Sequence, residues 1–497
     1  MKNLELVSPD WPDESVSRPD RMQEACGVFA VLAPGEQVAS LCYFGLYALQ
    51  HRGQESAGIA VFEGEKVRLH KDMGLVSQVF DQEVLERMPG DQAVGHTRYS
   101  TTGSSRVCNA QPLVMMTRIG PFALAHNGNL VNTGELRERL AAEGMNISTS
   151  TDSELIAFAL QLAVNSGLDW DEAIKSAARQ CQGAFSLAIG TPNGVYALRD
   201  GHGLRPLVFG SLGDSGSGGW VVSSETCGLD IIGARFDDDI APGEIVRFCS
   251  GEPRPFRSRW CEETPRLCVF ELIYFARPDS RFFGESLYSY RKRIGQRLAQ
   301  EAPVEADLVI GVPDSGIPAA IGYSQSSGIP FGDGLIKNRY VGRTFIQPTQ
   351  AMREAGIRVK LNPLPDVLEG QRIVVVDDSI VRGTTSRKLV QAFRDAGARE
   401  VHMRISSPPV THPCFYGIDT DSQDQLIAAR FNLKEITAHL GVDSLAYLSK
   451  EGMLHCAQEQ SQHFCTACFD GQYPIPVEEG LRTRKLMLEP AGMAGSI

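Results

Sequence analysis

IVVVDDSIVRGTTS, residues Ile373 to Ser386, decides how the second half of this chain is read. Ile373 to Val376 are apolar and β-branched, and turn formers bound them, which is how a parallel strand buried on both faces reads. An acidic pair, Asp377 and Asp378, stands where that strand ends. Ser379, Gly383, Thr384, Thr385 and Ser386 supply a glycine and a cluster of hydroxyls. A helical run, Arg387 to Ala396, follows and is closed by Gly397. A loop of this kind at a helix N-terminus offers N–H groups and hydroxyls to a phosphate. Two carboxylates beside it repel a phosphate unless they face sugar hydroxyls or a magnesium ion carried by a diphosphate. On spacing alone an ordinary strand-to-helix turn capped by Asp378 or Ser379 fits equally.

The whole string resembles the signature of type I phosphoribosyltransferases, which bind 5-phosphoribosyl-1-pyrophosphate (PRPP). The resemblance assigns Asp377 and Asp378 to the ribose hydroxyls and Mg²⁺. It assigns Ser379, Ile380, Val381, Arg382, Gly383, Thr384, Thr385 and Ser386 to the 5′-phosphate.

At 497 residues the chain is long for one core, so two domains with appendages are expected. A formal charge of −12 and a pI near 5.4 argue against a general nucleic-acid binder. The apolar runs at Leu41–Leu49 and Leu155–Val164 are too short or interrupted to span a bilayer, so no membrane partner is expected. The first 25 residues are polar, acidic and proline-containing, unlike a secretory signal or an arginine-rich transit peptide. Twelve cysteines without a secretory signal point to thiol chemistry or metal rather than disulfides, and a cytoplasmic protein is expected.

From Cys26 the pattern becomes alternating and apolar, and CGVFAVLA predicts a strand beginning at the cysteine. Further strands are predicted at Gly58–Phe62, Ala93–His96, Phe122–His126, Phe185–Gly190, Gly194–Leu198 and Trp220–Ser224. Helices are predicted at Gly134–Glu143, Ser153–Val164 and Asp171–Gln180, with a surface loop at GSLGDSGSGG. Singly, the chemical candidates have plain readings: Cys26 as a core thiol, Asn127–Gly128 as a type I′ turn, Thr151 with Glu154 as a capping box.

Together CGVFA, LQHRGQESAGIA, HTRYSTTG, HNGNL and TDSE, in that order, resemble class II glutamine amidotransferases of the N-terminal nucleophile superfamily. The resemblance implies an αββα sandwich in which Cys26 attacks the glutamine amide, and Asn127 with the N–H of Gly128 forms the oxyanion hole. Arg98 then binds the substrate α-carboxylate and Asp152 its α-ammonium. In that superfamily the base is the nucleophile's own α-amino group, so residues 1–25 are expected to be a removed propeptide. Ala25 stands where relatives often carry an acidic residue.

In the second half, Asp307–Val312 predicts a strand, PDSG a tight turn and Ile317–Gln325 a helix, a second crossing suited to phosphate. The resemblance places Ser315 with Asp377 and Asp378 at Mg²⁺. In KNRYVGRTFIQP it gives Lys337, Arg339 and Arg343 to a PRPP-ordered lid pivoting at Gly342; without a ligand the run reads as a solvated basic loop. Cys465-x-x-Cys468 alone is a weak signal, redox, half a zinc site or neither. The resemblance adds Cys268 and Cys414 as the other ligands of a [4Fe–4S] cluster, four thiolates that also suit zinc. Cys249, Cys261 and Cys456 read as bystanders.

Both halves in sequence resemble the glutamine-dependent PRPP amidotransferases, in their iron–sulfur branch. The implied architecture is a propeptide (1–25), an N-terminal-nucleophile sandwich (26–260), a parallel-sheet α/β phosphoribosyltransferase domain (261–450) and a segment with cluster cysteines (451–497). The implied reaction converts glutamine, PRPP and water to phosphoribosylamine, glutamate and pyrophosphate, opening de novo purine synthesis, with ammonia passing between two sites. A homotetramer inhibited by purine nucleotides is also implied. The alternatives are another class II amidotransferase, which lacks the Asp377–Asp378 string, and a PRPP-binding regulator, which has no need of Cys26, Arg98, Asn127 and Asp152.

Overall fold

The computed structural model describes residues 26–99, 106–213, 218–338, 361–420, 422–457 and 462–477. In the first half two antiparallel sheets lie face to face. One orders its strands Arg235–Asp239, Val208–Leu212, Gly219–Ser223, Gly27–Leu32, Gln92–Arg98, Ser56–Glu63, Lys66–Met73. The other runs Phe256–Arg259, Glu244–Phe248, Gly194–Arg199, Gly183–Thr191, Gly120–Leu130, Leu113–Thr117.

The period-two pattern of the first strand explains the layering. Val28, Ala30 and Leu32 enter a core shared with Ala123, Ala125 and Ala188 of the facing sheet. Phe29 and Val31 point the other way, into a core with the helix Val38–Ala48. The helices Asp152–Asn165 and Trp170–Gln180 cover the outer face of the second sheet. Helix, sheet, sheet, helix is the αββα order that the resemblance implies.

In the second half, Leu308–Gly311, Arg372–Asp377, Glu400–Ile405 and Ser444–Tyr447 form a parallel sheet in chain order. The run of β-branched residues is buried on both faces. Val374 and Val376 join the core of the helices Leu287–Glu301 and Gly316–Ser327, while Ile373 and Val375 join that of Thr384–Asp395. Among the described residues no helix is long and apolar enough to cross a membrane.

Four local expectations change. HNGN is no hairpin turn, since Asn127 and Gly128 lie inside the strand Gly120–Leu130, paired with Ser186 and Phe185. Thr151 makes no side-chain cap; Glu154 instead accepts from the N–H groups of Ser148 and Thr149, at 3.1 and 2.7 Å. Neither Asp378 nor Ser379 caps the later helix, whose N-cap is Gly383 at φ +85°, a backbone region that favours glycine. The first strand begins at Gly27 rather than at the cysteine. The expected propeptide (1–25), Ser100–Gly103 of the HTRYSTTG string, and Arg339, Gly342 and Arg343 lie outside the described residues.

Candidate active sites

Cys26 stands at the head of its strand, where the next residue, Gly27, faces Thr97 across the sheet. Its Sγ lies 3.6 Å from the carbonyl oxygen of Tyr99. Burial pushes the thiol up to about 11, against the lowering effects of the Tyr99 contact and of Arg98. Such a thiol is protonated at neutral pH and needs a base to react.

Arg98 ends the neighbouring strand, buried, with a guanidinium nitrogen 3.9 Å from Glu55. Asp152 opens its helix, where a carboxylate is favoured by the first-turn N–H groups, and its Oδ2 accepts from the N–H of Leu130 at 2.9 Å. Its other oxygen lies 3.7 Å from Nδ1 of His126. Both charges reach the Cys26 thiol electrostatically, so the opposite signs suited to an amino acid's carboxylate and ammonium flank one nucleophile.

Asn127 is fully buried, and among the described residues neither its Oδ1 nor its Nδ2 has a hydrogen-bond partner. An amide left unsatisfied in a packed interior costs stability, so its presence calls for a functional account. The peptide before it is held: His96 Nε2 donates to the carbonyl of His126 at 3.0 Å, and burial pushes His96 down to about 3, keeping it neutral. Gly128 sits at φ +149°, and a Cβ there would stand 2.0 Å from the carbonyl oxygen of Ala184.

In the second domain the strands Leu308–Gly311 and Arg372–Asp377 are parallel neighbours, so the loops at their C-terminal ends meet. Asp378 accepts hydrogen bonds from Ser315 on one loop and from Ser379 at 2.6 Å on its own. Asp377 and Asp378 are buried, as are the side chains of Ile380 and Val381, which leaves those two only their backbone to offer a ligand. Gly383, Thr384, Thr385 and Ser386 enter the helix N-terminus. Arg382 donates to Gln425 Oε1 at 2.6 Å, and Lys337 pairs with Asp314 across the PDSG turn. Two carboxylates and a hydroxyl fit Mg²⁺, which takes oxygen ligands, often one or two carboxylates beside substrate phosphates and water.

The four expected cluster cysteines meet at the other end of this domain. Leu267–Cys268 pairs in parallel with Phe464–Cys465, opposing the two cysteines, and Cys468 lies in the next helical turn. Sγ of Cys414 accepts from the N–H of Tyr416 at 3.4 Å. Cys268, Cys465 and Cys468 each feel other thiols of the set, and burial raises all three. Among the described residues no three His, Cys, Asp or Glu side chains are gathered tightly enough to grip a single ion. A tetrahedral zinc site needs its sulfurs within about 3.8 Å of one another, from Zn–S of about 2.3 Å. Cys268, Cys465 and Cys468 are buried and Cys414 half-buried, and thiolates held on different irons of a multi-iron cluster need no such single-ion spacing.

The sequence reading missed a buried ionic chain between the halves. Arg52 pairs with Glu225, and also with Glu271 at 2.6 Å. Arg205 pairs with Glu271 at 3.1 Å, and the side chains of all four residues are wholly buried. Arg52 lies within LQHRGQESAGIA, a string singled out for other reasons.

A glutamine amidotransferase domain model matches residues 96–230 and a phosphoribosyl transferase domain model residues 287–406. The amidophosphoribosyltransferase of Synechococcus elongatus is 68% identical over 96% of this chain and 97% of its own length. That of Mycobacterium bovis is 49% identical over 98% and 92%. The fold matches the glutamine PRPP amidotransferase from B. subtilis, solved with ADP and GMP, at a TM-score of 0.85 and 45% identity, covering 91% of this chain and 98% of that one. With a nucleophile strand in one domain, an acidic phosphate loop in the other and relatives matching end to end, this chain belongs to the amidophosphoribosyltransferase family.

Proposed function

We propose that the family reaction, glutamine-dependent amidotransfer to PRPP in purine biosynthesis, is carried out here by Cys26 and by the Asp377–Ser386 loop. The observation that carries this is the buried, unpartnered amide of Asn127 in a domain whose one strand begins beside Cys26 between opposite charges. We take residues 26–260 and 261–450 as the two catalytic domains, each supported by its own hydrophobic cores.

Removal of residues 1–25 frees the α-amine of Cys26, with an ordinary pKa of about 8, to take the proton from a thiol that burial holds at about 11. Sulfur then attacks the side-chain amide of a glutamine held by Arg98 and Asp152. Asn127 Nδ2 and the Gly128 N–H receive the oxyanion. The C–N bond breaks, ammonia leaves with the returned proton, and water hydrolyses the thioester to glutamate.

In the second domain the ribose hydroxyls meet Asp377 and Asp378, and the 5′-phosphate meets the N–H groups and hydroxyls of Ser379 to Ser386. Lys337, with Arg339, faces the diphosphate. Mg²⁺ held by Ser315, Asp377 and Asp378 would neutralise the departing pyrophosphate. Ammonia attacks the anomeric carbon as its bond to pyrophosphate breaks. Exclusion of water protects both the oxocarbenium-like centre and unprotonated ammonia.

Cys268, Cys414, Cys465 and Cys468 would hold a structural [4Fe–4S] cluster tying the start of the second domain to residues 451–477. A homotetramer acting in the cytoplasm and inhibited by purine nucleotides is the family expectation, and the ADP and GMP in the B. subtilis relative support its nucleotide part alone.

Glutamate release and phosphoribosylamine formation measured together test the scheme. Cys26→Ala should abolish the glutamine-dependent reaction and spare the reaction fed with ammonia. Undiminished glutamine-dependent synthesis by that variant overturns the reading, as does an intact mass of the active enzyme that begins at Met1.

A further inference from the structure

The backbone that carries the proposed oxyanion N–H is supported from outside its own domain. Asn129 Nδ2 donates to the carbonyl of Phe415 at 2.9 Å. Two residues on, a Cβ placed on Gly417 would stand 3.3 Å from the carbonyl carbon of Gly128 and 3.4 Å from its oxygen. Gly417 has φ +105°, where a side chain is strained irrespective of space. Phe415–Gly417 thus lies on the segment Gly128–Asn129, and a side chain at Gly417, whose Cβ would also stand 3.2 Å from Arg205 Nη2, would press them apart.

Besides Asn129, Arg205 holds that contact. Arg205, fully buried, donates through Nε and Nη2 to the carbonyl of Tyr416 at 3.1 and 3.0 Å, and through Nη1 to Glu271 at 3.1 Å. Its own carbonyl accepts from the hydroxyl of Ser186, the residue paired with Asn127 in the sheet. A planar guanidinium with its donors fixed at both ends leaves Tyr416 little freedom to shift.

We propose that Arg205 is a positioning residue for glutamine hydrolysis: it clamps Tyr416–Gly417 of the second domain against Gly128, so that the oxyanion hole of the first domain is completed by the second. This rests on the assignment of Gly128 to the oxyanion hole. Arg205 touches no substrate and acts only through the loop. A shift of about 1 Å in a catalytic group can lower a rate by roughly 100-fold, so a loosened clamp should be read in turnover.

The test uses processed full-length enzyme carrying Gly417→Ala or Arg205→Met. Three rates are measured: glutamine hydrolysis, ammonia-dependent synthesis from PRPP, and alkylation of Cys26 by iodoacetamide, which forms no oxyanion. The expected result is a fall in kcat for glutamine of about 10- to 100-fold with KM within about twofold. Ammonia-dependent synthesis and the alkylation rate should stay near wild type. A kcat within twofold of wild type in both variants overturns the proposal, and so does a rise in KM at constant kcat. If Gly417→Ala also loses the ammonia-dependent reaction, Asn129→Ala, a milder removal of the same contact, decides by the same split. Cys26→Ala run in parallel keeps the outcomes separate, since glutamine hydrolysis surviving there would refute the nucleophile assignment, not the clamp.

Discussion

Asn127→Ala should separate activity from stability in opposite directions. The side chain has no exposed surface, and its two polar atoms have no partner among the described residues, so the fold draws no hydrogen bond from them there. Unsatisfied buried groups cost about 1–3 kcal/mol each, while the small void left by truncation takes back roughly 1–2 kcal/mol. The variant is therefore expected to be as stable as the parent or more so, by up to about 5 kcal/mol. Turnover should move the other way: loss of one oxyanion donor removes about 2.7–4 kcal/mol of transition-state stabilisation, or roughly 100- to 1,000-fold in kcat. Urea unfolding followed by tryptophan fluorescence reads the correct unit, because of four tryptophans only Trp170, Trp220 and Trp260 follow residue 25, all in the first domain. A kcat within tenfold of wild type refutes the assignment. A variant that is inactive and also destabilised by more than about 1 kcal/mol shows a structural amide instead.

Three further outcomes are expected. Asp152→Asn keeps an oxygen for the N–H of Leu130 but loses the charge for the substrate ammonium, so kcat/KM for glutamine should fall about 10- to 150-fold, mainly through KM, in steady-state kinetics. Glu271→Gln leaves the buried Arg52 and Arg205 undercompensated and should destabilise by about 3–5 kcal/mol in denaturant titration. Glu225 would be raised by burial, but Arg52, His51 and Ser280 outweigh this and hold its carboxyl well below the usual range. A depressed folded pKa gives stability that is full above the unfolded value of about 4.3 and lost as pH falls below it. Hence the stability gap between wild type and Glu225→Gln, measured by urea midpoints, should be widest above about pH 5 and shrink on acidification.

What the sequence made legible was local. Ile373–Val376 and the alternation from Gly27 specify their strands because each residue's face follows from its own neighbours. The acidic pair and its hydroxyl loop are contiguous, so one string carries that site. HNGN misled because Asn-Gly has the backbone freedom of a turn, while here Gly128 uses positive φ inside a strand, against the carbonyl of Ala184. The capping box failed for a related reason: Glu154 found better donors in Ser148 and Thr149 than the spacing rule offers. Arg205, Tyr416 and Gly417 give no local signal, since their meaning lies in contacts across more than two hundred residues.

The same distance explains why the interface sets buried charges beside its apolar contacts, where Val131, Ala184 and Leu204 pack with Tyr416, Cys465 and Ala467. An apolar interface of equal area would be less demanding to desolvate, and exchanging buried ion pairs for hydrophobic residues is often neutral or stabilising. Apolar contact is also non-directional, and two domains so joined can slide with small loss. Arg52 and Arg205 meet the two oxygens of Glu271 from either side, and Arg52 also meets Glu225, so a displaced domain strands several buried charges at once. In the proposed reaction, ammonia released beside Cys26 has to reach Asp377 and Asp378 without entering water, and a passage between domains would work only in one arrangement. The penalty for misalignment, rather than the net attraction, is what such a chain of charges supplies. Arg205 applies it next to the backbone that must not move, which joins the registry of the domains to the geometry of the oxyanion hole.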